Sequence, residues 1–163
     1  MMMRVKLLSV GTVQDDGVTS RAIDTKDHVL SQLADLNKCF AGANIEFVLG
    51  GILGPIKGTA ISQDEGANDE QARTDYANQF PDHLVIFVRH DATPLAAGYS
   101  APWSAYAVMP QGAESNLLAH ELGHFFGLPH TFVENHALDP GMDLPRFGGH
   151  GVVRRRGSLV SCW

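Results

Sequence analysis

Residues 120 to 130 read His120-Glu121-Leu122-Gly123-His124-Phe125-Phe126-Gly127-Leu128-Pro129-His130. Two histidines four positions apart on a helix project their imidazoles from one face. Nitrogens about a turn apart can share one tetrahedral metal ion. Glu121 flanks His120 and can reach a metal-bound water without being a ligand itself. Gly127 can adopt positive φ and stop the helix, and Pro129 prevents its resumption. The turned chain can then bring back His130 as third ligand. Three neutral nitrogens leave a fourth position open for water, as in a catalytic rather than a structural zinc site. Shuffling this composition would yield all five motif residues at these spacings with odds on the order of one in ten thousand. The motif is therefore an addition to the helix, not a by-product of it.

The elements that must position these residues follow from periodicity. The 163 residues, 44% hydrophobic and 18% charged, suit one globular domain with a real core. Arg4 to Val13 alternates loosely and reads as a strand ending at the turn Gln14-Asp15-Asp16-Gly17. Val29, Leu30, Leu33, Leu36 and Phe40 lie three and four apart, which predicts a helix from Asp24 to Phe40 with Asp24 or Thr25 as N-cap. Gly42 and Asn44 close it, and Ile45 to Leu49 follows as a strand. Gly50 to Gly58 is a loop or an irregular strand. Gln63 to Asn78 is polar and acidic, a surface loop with a short helix. Leu84 to Val88 is a continuous apolar run, as expected of a strand buried on both faces. Ala105 to Met109 is a short strand. Ser115 to Phe126 is the helix of the motif, capped by Ser115 or Asn116, with Leu118, Leu122 and Phe125 toward the core.

The eleven-residue pattern resembles the signature of the metzincin clan of zinc endopeptidases. The likeness extends upstream. "HVLSQLADLNKCFAGANIEFVL" resembles the first helix and second strand of the pappalysin-like (cytophagalysin) branch, through Leu36, Asn37, Phe40, Ile45 and Phe47. "AGYSAPW" at 97–103 and "LLAHELGHFFGLPHTF" are similar to further segments of that branch. The resemblance implies an α+β fold: a twisted mixed β-sheet, a backing helix and a zinc-binding active-site helix. It implies a single metallopeptidase catalytic domain over 1–163, with an upper subdomain to about 127 and a small irregular lower one over 128–163. It further implies one catalytic Zn2+ held by His120, His124 and His130, Glu121 as general base, and hydrolysis of protein or peptide substrates. Met142 is the candidate for the methionine turn below the metal. Leu144 stands where that branch places a tyrosine, and "GGHGVVRRRGSLVSCW" lacks the periodicity of the expected C-terminal helix. By the same resemblance the strand Ala105 to Met109 would pair with extended substrate, and the protein would be secreted.

The remaining features carry less chemistry. His136 and His150 read as solvated loop histidines. Asp64, Glu65, Asp69 and Glu70 lack the spacing of a calcium loop, so calcium has no support from them. A net charge of −6 argues against a general nucleic-acid partner, although Arg154-Arg155-Arg156 makes the tail basic. No run is long enough to span a bilayer, and no signal peptide is visible in this chain. Two cysteines, Cys39 and Cys162, form no disulfide framework, and spacing alone leaves their pairing open. A monomer is the default. The competing reading is a zinc-binding pseudo-protease that holds peptide without cutting it. A third is a precursor or fragment that is active only with further segments.

Overall fold

The structure, a computed structural model, describes residues 1–13, 21–57, 67–89, 99–100 and 104–128. In chain order these form β1 (Met3–Val13), β2 (Arg21–Ala22), α1 (Lys26–Phe40), a 3-10 turn (Ala41–Ala43), β3 (Ile45–Lys57), α2 (Ala67–Ala77), β4 (His83–Arg89), β5 (Tyr99–Ser100), β6 (Tyr106–Pro110) and α3 (Ser115–Phe125). The fold is mixed α/β. Four strands run parallel, with β1 between β3 and β4 and with β6 beyond β4. β5 pairs antiparallel with β6, and β2 pairs antiparallel with the last residues of β1.

Alternation divides the core. On one face Leu7, Phe47, Leu84, Ile86, Ala107 and Met109 pack against α1 and α3. On the other, Leu8, Val10, Val85, Phe87, Tyr106 and Val108 meet Ala77, Tyr76 and Phe80 at the end of α2. The apolar run in β4 thus serves both faces, as its composition requires.

Thr25 caps α1, its hydroxyl accepting from the His28 amide at 3.2 Å. The buried stripe is Val29, Leu33, Leu36 and Phe40. Leu30, expected on that face, is 44% exposed, because it stands one residue, about 100°, off the stripe. Gln32 takes a buried place instead and donates to the Ala113 carbonyl at 2.7 Å, tying α1 to the turn before α3. After α1 the chain reverses at Asn44, whose φ of 57° is left-handed. Asn37 then pairs with β3 through both ends of its amide, donating to the Phe47 carbonyl at 2.9 Å and accepting from the Phe47 N–H at 2.7 Å.

The glycine-rich stretch after Leu49 belongs to β3, which runs to Lys57 with register shifts opposite Leu7/Leu8 and Val10/Thr12. A Cβ at Gly50 would meet the His83 ring, so any larger residue there needs that ring to move. The polar segment expected as mostly loop holds the eleven-residue helix α2. Tyr76 fastens it, with ring centroids 5.7 Å from Phe87 and 5.6 Å from Phe80.

The N-cap of α3 is Glu114, in extended conformation and without a side-chain cap bond, rather than Ser115 or Asn116. The Ser115 hydroxyl is turned elsewhere and donates to Asp35 of α1 at 3.0 Å. Asp35 also accepts from Lys38 at 2.8 Å. The Lys38 hydrogen bond, then that of Ser115, holds the Asp35 carboxyl below the ordinary aspartate value. A depressed carboxyl contributes stability that is present above the ordinary value and lost as pH falls through the depressed one. Asp35→Asn should therefore lower stability at neutral pH and lose that deficit in acid. Urea titrations of both proteins at pH 7 and pH 3 check it, and added salt should shrink the difference.

Candidate metal centre

The motif helix owes its place to Leu118, Ala119 and Leu122, which are buried under the sheet. That face fixes the helix rotation, and His120 and His124 emerge together beside it, each half-buried. Their rings lie nearly perpendicular, with centroids 4.5 Å apart and an interplanar angle of 84°. The two Nε2 atoms are 3.0 Å apart. Two nitrogens bound to one tetrahedral zinc at about 2.0–2.1 Å stand roughly 3.3 Å apart. The pair is thus within a few tenths of an ångström of ligating separation.

The end of α3 orients the second imidazole. Gly127 has φ of 80°. Its N–H donates to the His124 carbonyl at 2.8 Å, and the Leu128 N–H donates to the Gly123 carbonyl at 2.9 Å. These two bonds are the Schellman closure of a helix. It swings the Leu128 carbonyl back over the last turn, 2.8 Å from His124 Nδ1. A carbonyl only accepts, so Nδ1 carries the proton and the Nε2 lone pair faces His120. Ligating histidines are commonly oriented this way, by a bond from the other ring nitrogen.

Gly127 is open to test, because a Cβ there would meet nothing within 4 Å. The cost of a side chain is then conformational. Gly127→Val should destabilise by about 1–2 kcal/mol, the left-handed penalty for an L-residue. It should weaken zinc binding by up to ~100-fold if the carbonyl leaves His124. Thermal unfolding and a competition titration with a zinc indicator read the two effects separately.

Glu121 is 4% exposed. Its side chain is thus withdrawn from bulk water, one position after His120 in the chain. Aromatic packing holds the same end of the helix: Phe126, the C-cap, lies 5.8 Å from Phe40 and 6.3 Å from Phe47 between ring centroids.

The structure thus brings together His120 and His124, with Glu121 next in the chain. His130 and Met142 lie outside the described residues, as do His136, His150, Asp64, Glu65, Leu144 and Arg154 to Arg156. Among the described residues no group of three or more His, Cys, Asp or Glu forms a metal-holding cluster. Sequence reasoning missed the Leu128 carbonyl, which no side-chain type announces, although Gly127 two residues before Pro129 signalled the turn that delivers it. The strand expected to take extended substrate needs correction. β6 is already paired on both sides, with β4 along its length and with β5 at Ala107 and Val108. Among the described residues the edge of the sheet on this side is β5.

No protein-family model matches this chain, and no curated protein does. A solved structure described as "Structure of a chaperone-substrate complex" is similar to it, with a TM-score of 0.59 and 14% sequence identity. The match covers 82% of this chain and 25% of that one, so this chain spans about a quarter of that protein. At this identity the likeness speaks to the fold alone.

Proposed function

We propose that this chain is a zinc endopeptidase of metzincin type that cleaves protein or peptide substrates outside the cell. The observation that carries the reading is the histidine pair: two Nε2 atoms 3.0 Å apart, one of them aimed by a backbone carbonyl. Imidazole nitrogens are a preferred donor set for zinc, and His130 would complete it. The mixed sheet with a backing helix and a motif helix on one face supports the metzincin assignment.

Zinc, when bound, supplies Lewis acidity to a peptide carbonyl and brings the pKa of a water toward neutrality. Glu121 accepts the proton of the attacking water on its carboxylate and returns it to the leaving amine. His120 and His124 would hold the ion from one face of α3, and the Leu128 carbonyl keeps the proton of His124 on Nδ1, which leaves Nε2 as the donor atom. β5, as the sheet edge, offers backbone groups for an extended peptide. Among the described residues no helix is long and apolar enough to cross a membrane.

A second reading is a zinc-binding module that holds peptide without hydrolysing it. It is favoured by Leu144 at the position where the resemblance puts a tyrosine. Metal analysis with cleavage of a mixed peptide library separates the two. The protease reading expects stoichiometric zinc and cleavage abolished by chelator and restored by zinc. Zinc without cleavage supports the binding module, and absence of zinc removes both.

A further inference from the structure

We propose that one water molecule is bound inside the fold between Ser9, Asp24 and Gln32, and that it joins β1 to the side chains holding the chain ahead of α3. The site is independent of the zinc reading.

Ser9 stands two positions after Leu7 in β1 and, like it, faces α1. It is 5% exposed, and its hydroxyl has no hydrogen-bond partner among the described residues. A buried hydroxyl left so costs more stability than an ordinary hydrogen bond returns. Native interiors satisfy such groups with protein partners or with ordered water. Beside Ser9 lies a cavity of about 20 Å³, whose lining includes Asp24, Gln32, Leu7, Met109 and Leu118. A water needs roughly 10–15 Å³ and two to four polar partners, whereas cavities that stay dry are apolar. This one has room for a water and three polar side chains around it.

The donors and acceptors match. The Gln32 amide nitrogen already donates to the Ala113 carbonyl at 2.7 Å, which leaves its oxygen to accept. Asp24, also buried, spends one carboxylate oxygen on the Gly112 N–H at 2.9 Å and keeps the other. A water accepting from the Ser9 hydroxyl and donating to those two oxygens makes three hydrogen bonds, the usual number for a buried water. The same two side chains hold Gly112 and Ala113, which stand just before α3. The water thus ties the middle of β1 to the head of the motif helix.

A crystal structure of the whole chain, at a resolution that shows ordered water, tests the site. The expected result is one peak about 2.7–3.0 Å from Ser9 Oγ and from an oxygen on each of Asp24 and Gln32. A cavity without density overturns the proposal. So does a peak about 2.3–2.5 Å from these oxygens, which marks a cation such as calcium. Ser9→Ala tests the contribution in solution. It should lower the thermal midpoint by about 2–4 °C, the shift from one lost hydrogen bond in a chain of this size. An unchanged or raised midpoint means that the hydroxyl had no partner to lose, and overturns the proposal. The Gly112 amide reads the joint with α3. Its hydrogen exchange in Ser9→Ala should quicken roughly fivefold relative to that of Phe47, whose N–H is held by Asn37 elsewhere in the fold. An equal change at the two amides overturns the joining role.

Discussion

Glu121→Gln should lower the turnover of peptide cleavage by about 10²–10⁴-fold, the usual worth of a positioned general base, and leave zinc content unchanged. The substitution is chosen for its shape. Glu121 is 4% exposed, and glutamine fills the same volume and keeps one carbonyl oxygen, so the buried packing is retained. What it loses is the ability to hold a proton. Two measurements read the result: metal content by elemental analysis, and kcat on whichever library peptide the wild type cuts. Full activity in the variant would remove Glu121 from the mechanism. Loss of zinc along with activity would instead make Glu121 a support for the ligands.

Phe47→Ala should destabilise the protein by about 3–5 kcal/mol, as for other buried phenylalanines. Taking about 2–4 °C per kcal/mol for a chain of this size, the midpoint should fall by roughly 6–20 °C. Phe47 is 2% exposed and packs edge-on to Phe40 at 5.1 Å, so the deletion opens a cavity between β3 and α1. The same ring lies 6.3 Å from Phe126, one residue before the glycine that turns the chain toward His124. The substitution should therefore weaken zinc binding as well, by less than removal of a histidine does. Thermal unfolding with and without zinc checks both, since a weaker site returns less of the lost midpoint when zinc is added.

The elements legible from sequence were those whose burial leaves a period. α1, α3 and β4 carry apolar spacings of three and four, or an unbroken run, and the structure has them within a residue or two. β2 and β5 are two residues each, shorter than any pattern. The second half of β3 was obscured because its bulges admit glycines that a regular strand would exclude. α2 shows little amphipathic pattern: its inward groups include Ala77 and, at 2% exposure, Arg73, and an arginine advertises a surface. In the candidate site, the pairing of His120 and His124 was legible because a spacing of four on a helix puts two side chains on one face. The Leu128 carbonyl was not, because every residue has one and only the Gly127 turn decides where it points.

The clamp of Asn37 on Phe47 also bears on how this protein avoids its own copies. β3 pairs with β1 alone among the described strands, so its outer side presents backbone groups to which another chain could add a strand. At Phe47 both groups are already taken by the Asn37 amide. An incoming strand would find this rung filled by a side chain from the helix above. The register shifts farther along β3 interrupt the regular ladder that such an addition needs. One asparagine thus joins helix to sheet and also makes the exposed edge a poor template for aggregation.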